Sequence, residues 1–473
     1  MKELKSLNVN RDMKKSKRAK AGKLAKQSAA ALVALNLLYG VALPSVNLLN
    51  PAFVAAAEGT ATASTTALVG LGGIKTPDLE LSSAILIEPT TGQVILSMNP
   101  DQPLPPASMT KMMTEYIVAE QVKQGKLSWD TVVTVGENAA KSVGSRIFLA
   151  EGDQHTVREL YIAMAVGSAN DATVALAEHV AGSEQNFVVM MNEEAQRMGM
   201  TNSYFINSTG LDKKDMPAKY QPSTDRETLM TARDVATLAG YIVRDHPDYT
   251  EFTTIQSYQF RKDDKAPIIN WNWMLEANKD IRNFKQYAYE GLNGMKTGHT
   301  NAAGNCFAGT AVRDGMTLIS VVMGAESNPK RFTETRKVLD YGFNNFEIKQ
   351  VVAPKSVVQG VESVPVTKGK EKTVGVVTSD AVSFIVPKNA ANPQLTFSTN
   401  ITPEDQLVAP LTQGAKVGTV TYSYKTDGME QAQEKTVDLI TTAAVEEAGW
   451  FKMLFRAIGS FFGDLFDGIK NLF

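Results

Sequence analysis

The sequence predicts an α+β protein: a helical cluster packed against an antiparallel sheet, then a small all-β domain and a C-terminal amphipathic helix. Three observations carry this expectation. Strand signals lie early and late in the first 348 residues, with helical periodicity between them. From about residue 350 to 442 the composition turns to valine and threonine runs broken by Gly, Pro and Lys. The last stretch, 446–473, then places Trp and Phe on one helical face and charges on the other.

At the N-terminus, Lys14, Lys15, Lys17, Arg18, Lys20, Lys23 and Lys26 form a basic region ahead of an apolar run over 29–42. Ala55-Ala56-Ala57 supplies small residues at a cleavage position. Residues 1–57 are therefore expected to be a secretory signal peptide, and the Ala/Thr/Gly-rich 58–76 a mobile leader. An exported chain with a single cysteine, Cys306, has no disulfide framework and no Cys-based metal site. Its four histidines are scattered and form no H-E-x-x-H, so no metal is expected. A net charge of -2 gives no reason to expect nucleic acid as a partner.

The first domain is expected over 77–348. Residues 83–88 and 93–97 read as β-hairpin strands around Pro89-Thr90-Thr91-Gly92. The hairpin leads to Pro105-Pro106-Ala107-Ser108-Met109-Thr110-Lys111, where a helix begins with Met109, Met112, Met113, Tyr116 and Ile117 on one face. Ser108 and Lys111 share a face one turn apart. A serine becomes a nucleophile when a neighbouring base takes its proton, and a lysine serves only where burial or another cation lowers its pKa. Alone, the pair also fits a helix N-cap with a solvated lysine. A second S-x-x-K occurs at Ser327 and Lys330, where Pro329 is expected to spoil the helical geometry.

Thr156 and Glu159 form a capping box that opens a helix ending at Gly167. Ser168 and Asn170 then occupy a corner before the next helical run, expected from residue 172. Helices follow over 184–198 and 231–244. Lys296-Thr297-Gly298 is expected on an edge strand: the lysine offers charge to a carboxylate, the threonine a hydroxyl, and the glycine close approach to the strand backbone. Residues 306–312 and 317–323 form a further hairpin, and 333–344 a closing helix.

Ser108-x-x-Lys111, Ser168-x-Asn170 and Lys296-Thr297-Gly298, in this order, are the motif set of penicillin-binding proteins and class A β-lactamases. With Ser145-Arg146-Ile147-Phe148-Leu149, Asn207-Ser208-Thr209-Gly210-Leu211, His299 through Gly304, and Leu339 through Phe343, the chain resembles the D-alanyl-D-alanine carboxypeptidases, the low-molecular-weight penicillin-binding proteins of serine peptidase family S11. Ala169 stands where that family often has glycine.

The resemblance implies a serine β-lactamase/penicillin-binding-protein-like catalytic domain and hydrolysis of the terminal D-Ala-D-Ala bond of peptidoglycan pentapeptides, without a cofactor. Ser108 would be the nucleophile and Lys111 its base. Ser168 and Asn170 would relay a proton and hold the substrate. Lys296 and Thr297 would take the terminal carboxylate, with Gly298 and His299 completing the strand; the backbone N–H groups of Ser108 and His299 would form the oxyanion hole. β-Lactam antibiotics would acylate Ser108. A D,D-transpeptidase, a β-lactamase and a non-catalytic surface scaffold use or retain the same fold. No dedicated deacylating glutamate stands out in the sequence, and the amphipathic tail fits a peripheral anchor on the outer face of the cytoplasmic membrane.

Overall fold

The computed structural model describes residues 68–388 and 395–450. The expected signal peptide, most of the leader and nearly all of the amphipathic tail lie outside the described residues.

A six-stranded antiparallel sheet organises the first part of the chain. Its strands are β1 (Leu68–Gly70), β2 (Ser83–Glu88), β3 (Gln93–Met98), β4 (Leu292–Thr300), β5 (Gly304–Arg313) and β6 (Met316–Ala325), in the spatial order β1-β3-β2-β6-β5-β4. Every residue of β2 is buried, because both faces of the sheet are covered. Ala84 and Leu86 face one core with Phe307, Leu318 and Phe332, while Ile85 and Ile87 face another with Met112, Met113, Ile319 and Val321. This alternation is the period of two that a strand imposes.

The major helices are α1 (Lys111–Lys123), α2 (Val157–Gly167), α3 (Asn170–Ala181), α4 (Glu184–Arg197), α5 (Ala232–Asp245) and α6 (Asn328–Asn345). Helices α1, α4 and α5 contribute to the core on the second face. Helix α2 and the first part of α3 build a third cluster around Leu160, Met164 and Leu176. Helix α6 lies on the first face with Phe332, Val338 and Leu339.

A second β layer follows directly: β7 (Phe346–Val352), β8 (Ser363–Pro365), β9 (Thr373–Thr378), β10 (Val382–Pro387), β11 (Leu395–Ile401), β12 (Lys416–Tyr424) and β13 (Gln433–Thr441). It comprises the pair β7-β10 and a five-stranded sheet in the order β8-β9-β13-β12-β11. Its apolar interior, including Val376, Phe384 and Val420, is continuous with the core on the first face of the large sheet. Arg233 of α5 pairs with both Asp101 and Glu430, adding a polar clasp between the two layers.

Four expectations need correction. The tail helix does not begin at 446: the Lys370 N–H donates to the Glu446 carbonyl and the Ala448 N–H to the Lys368 carbonyl, which holds 446–448 in the second β layer. The leader does not stay mobile to residue 76: Leu68–Gly70 pair with Leu96–Met98, and Leu71 is buried. Backbone pairing and one apolar anchor outweigh the Gly-rich composition. The closing helix begins at Asn328, not 333, because Ser327 caps it through the Lys330 N–H and Pro329 sits in the first turn, where no proline N–H is required. Asn170 is the first residue of α3, with Ala169 at the N-cap, so the corner narrows to Ser168 and Ala169.

The capping box at α2 forms as the sequence indicates. Thr156 accepts from the Glu159 N–H at 3.2 Å and Glu159 accepts from the Thr156 N–H at 2.8 Å. Thr156→Ala should lower unfolding free energy by about 1 kcal/mol, read as a lower urea midpoint at unchanged slope. An unchanged midpoint would contradict the contribution assigned to this cap.

Candidate active site

Ser108 lies in a 3-10 turn, Ala107–Thr110, which runs straight into α1. Proline at 105 and 106 resists helix before the turn, and the buried methionines hold its apolar side in the core. Lys111 is the first residue of α1 and is 0% exposed. Its Nζ lies 2.9 Å from Ser108 Oγ and donates to the Thr209 carbonyl at 2.8 Å. A neutral amine can make both contacts, donating to Thr209 while accepting from the serine hydroxyl. Burial, and then the charge of Lys296, pushes the Lys111 ammonium well below its usual range.

The carbonyl of Thr209 is held by the turn that follows Asn207. Asn207 Oδ1 accepts from the Gly210 N–H at 2.7 Å. Gly210 has φ +81°, and a Cβ there would lie 1.9 Å from the Ala107 carbonyl oxygen. A glycine is required both by the backbone angle and by the closeness of the nucleophile's turn.

Ser168 ends α2 in the left-handed region, with φ 56°. That geometry turns its hydroxyl toward Lys296, whose Nζ donates to Ser168 Oγ at 2.9 Å. Lys296 is only 3% exposed. Burial lowers its pKa; Glu115 opposes that shift and Arg331 adds to it. Asn170 is buried, with its Nδ2 on the Val143 carbonyl and its Oδ1 without a partner among the described residues. The neighbouring Asp171 accepts from the N–H groups of Ile147 and Leu149, which fixes the loop bearing Ser145.

Strand β4 is the sheet's edge, as expected, and brings Thr297, Gly298 and His299 to Ser108. A Cβ on Gly298 would lie 2.4 Å from the Pro106 carbonyl oxygen and 3.2 Å from the Met109 nitrogen. The strand thus packs directly on the nucleophile's turn. His299 is exposed, with Nδ1 2.9 Å from the Gly304 carbonyl oxygen.

A cleft of about 450 Å³ opens over these groups. Ser108, Ser168, Thr297, Gly298 and His299 line it, while Lys111, Lys296 and Asn170 stand behind as buried supports. Among the described residues no cluster of His, Cys, Asp or Glu is arranged to hold a metal. The cleft also contains groups that sequence reasoning did not select, notably Trp271, Asn328 and Arg331. Arg331 is 3% exposed and donates to the Gly298 carbonyl at 3.0 Å. Its only sequence signal is a cation beside Phe332 on the apolar face of a helix.

A buried lysine on a serine hydroxyl, with a second serine and lysine across the cleft, defines a serine acyl-transfer enzyme. The comparisons sharpen this class. Residues 73–327 match the family model described as D-alanyl-D-alanine carboxypeptidase, and 346–447 match penicillin-binding protein 5, C-terminal domain. The chain is 33% identical over 390 residues to the D-alanyl-D-alanine carboxypeptidase DacF of Bacillus subtilis, covering 82% of this chain and 92% of that protein. It is 32% identical over 384 residues to DacC of Escherichia coli, covering 80% and 87%. Among solved structures, penicillin binding protein 5 of Haemophilus influenzae superposes with a TM-score of 0.61 at 30% identity, covering 79% of this chain and all of that one. A peptidoglycan synthesis regulatory factor (PBP3) of Streptococcus pneumoniae gives 0.67 at 29% identity, covering 78% and 100%. The chain belongs to the D-alanyl-D-alanine carboxypeptidase family and is a serine-type D,D-carboxypeptidase.

The contact between β4 and the nucleophile's turn generates a test. Gly298→Ala should displace Ser108 from the strand and reduce acylation by a penicillin at least 10-fold, since small misplacements of reacting groups cost about 100-fold. Native-like acylation by this variant would show that the close approach is dispensable.

Proposed function

We propose that Ser108 is the nucleophile that removes the terminal D-alanine of peptidoglycan stem peptides. The observation carrying this assignment is the 2.9 Å contact between Ser108 Oγ and a fully buried Lys111 amine. Ser108 Oγ bonds to the carbonyl carbon of the penultimate D-alanine as its proton passes to neutral Lys111. The C–N bond then breaks, and the departing amine receives a proton through Lys111 and Ser168. Water cleaves the Ser108 ester, releasing the shortened peptide and restoring the serine hydroxyl.

Lys296 and Thr297 bind the terminal carboxylate, with charge and a hydroxyl supplied from the cleft's edge strand. Asn170 holds the substrate amide, a role supported by its buried, unpartnered Oδ1. The backbone N–H groups of Ser108 and His299 serve as the oxyanion hole, which the packing of Gly298 on the serine's turn favours. β-Lactams acylate the same serine because their strained amide imitates the dipeptide.

The division proposed for the mature chain is a catalytic domain over 68–345, a non-catalytic β domain over 346–449 and a membrane-lying helix from Trp450 onward. Trp450, Phe451, Phe455, Phe462 and Phe466, interspersed with Lys452, Arg456, Asp464 and Asp467, support the last assignment. With the N-terminal signal of 1–57, this places the enzyme at the outer face of the cytoplasmic membrane.

Purified protein lacking 1–57 should release D-alanine from a peptide ending in D-Ala-D-Ala, and Ser108→Ala should abolish release. Release that survives the substitution overturns the assignment. Removal of 451–473 should free the enzyme from anionic liposomes in a flotation assay; a truncated enzyme that still floats places the anchor elsewhere.

The lysines also set the pH response. The Lys111 base is active when neutral, so kcat/KM should rise as pH climbs through its lowered pKa. Lys296 binds the carboxylate when charged, so kcat/KM should fall as its own lowered pKa is passed. Both limbs should lie below the ordinary lysine value of about 10.4. A profile governed by one limb near that value would remove Lys111 as the base.

A further inference from the structure

Trp271 lines the catalytic cleft, yet neither the fold nor the reaction outlined above uses it. Its side chain is 47% exposed and belongs to none of the three apolar clusters. Trp273, two residues on, packs against the core instead and stacks on Phe284. No hydrogen bond, ring contact or cation–π contact joins the Trp271 indole to another described residue.

The backbone on either side is held tightly. Asn270 is buried, and its Nδ2 donates to the carbonyls of Thr253 and Ile255 at 3.1 and 2.8 Å. Its Oδ1 accepts from the Asn272 N–H at 2.8 Å, and Asn272 Oδ1 accepts from the Met274 N–H at 3.1 Å. Two consecutive Asx turns therefore fix the loop around Trp271. A large apolar side chain exposed on such a backbone is ordered before any ligand arrives.

The same anchors place the indole along the cleft. Asn272 Nδ2 donates to the Gly294 carbonyl at 3.4 Å, two residues before Lys296 on β4. Ile268 packs on the end of α2: a Cβ on Gly167, next to Ser168, would lie 2.5 Å from Ile268 Cγ2. The loop thus enters the cleft at its Lys296 and Ser168 end. His299, of the proposed oxyanion hole, lies further along β4, at about 3.3 Å of strand per residue. A peptide whose terminal carboxylate meets Lys296 and Thr297 sets its last residue toward Trp271 and its acyl portion away from it. Every other side chain lining the cleft is polar, Gly298 aside.

We propose that Trp271 is a specificity-determining residue: its indole is the apolar wall of the leaving-residue subsite, packing against the side chain of the C-terminal D-amino acid and limiting that group to a methyl. This rests on the carboxylate roles proposed above for Lys296 and Thr297. The D-alanine methyl has no other apolar side chain in the cleft to cover it. A longer side chain meets an indole whose backbone cannot retreat, so size is read as well as polarity.

Peptides ending in D-Ala-D-Ala, D-Ala-Gly and D-Ala-D-Leu test this, because all three give the same Ser108 acyl-enzyme. Differences in kcat/KM among them arise before the leaving residue departs. The native enzyme should favour D-Ala-D-Ala over D-Ala-Gly by about 10-fold, the lower end of what one methyl is worth in an apolar pocket. Trp271→Ala should bring that ratio near unity and raise D-Ala-D-Leu relative to D-Ala-D-Ala by about 10-fold. Trp271→Phe should keep most of the native preference. If the alanine variant does not fold, Trp271→Gln carries the same expectation for the first ratio. A native enzyme indifferent to the methyl overturns the inference, as does a preference that shifts only at the penultimate residue, read with Gly-D-Ala. Leaving-residue ratios that stay native while all rates fall, as a purely structural role predicts, also overturn it. Each of those results leaves Ser108 in place; a native enzyme that releases no D-alanine overturns the Ser108 assignment and this inference together.

Discussion

The structure depends on burying two amines in one site. Burial disfavours the charged form of both amines, so a cleft that encloses the two works against two ammonium groups at once. Lys111 is the more completely enclosed, and Lys296 adds to the depression of its pKa. The nucleophile's base is thus made by position, without any unusual group.

The fold brings these amines together from distant parts of the chain. The turn at 107–110 comes off the β2–β3 hairpin, Ser168 off the end of α2, and Lys296 off the edge strand β4. Backbone approach sets the tolerance. Gly298 lets β4 lie on the serine's turn, and Gly210 lets the Thr209 loop reach the lysine from the other side. Side chains at either position would separate elements whose contact determines the 2.9 Å distance between Lys111 and Ser108. Beneath them, the sheet is apolar on both faces and resists displacement.

Much of this was legible because it is local. β-Branched runs around Gly-bearing turns marked the β2–β3 and β5–β6 hairpins, and Thr156 with Glu159 marked the start of α2. The order of three short motifs carried the site, although each is ambiguous by itself. Less legible features depended on partners far away in sequence. Leu68–Gly70 looked like leader because its composition is loop-like, yet β3 offers an unpaired edge. Pro329 looked like a helix breaker because its place in the first turn depends on Ser327 acting as cap. Arg331 sits on a helix face otherwise read as apolar core, and periodicity cannot say which buried position adjoins a cleft.

The charge arrangement also gives the substrate a part in preparing its own catalyst. With the roles proposed for Lys111 and Lys296, an incoming carboxylate stabilises the Lys296 ammonium and raises its pKa. The proton then stays on Lys296, and its positive charge disfavours a second proton on Lys111. By linkage, carboxylate binding and neutral Lys111 favour one another, within the coupling that the two amines share. A ligand without that carboxylate would lose this bias as well as a direct ion pair. Selectivity for a chain terminus and activation of the serine are therefore two consequences of one proton's location.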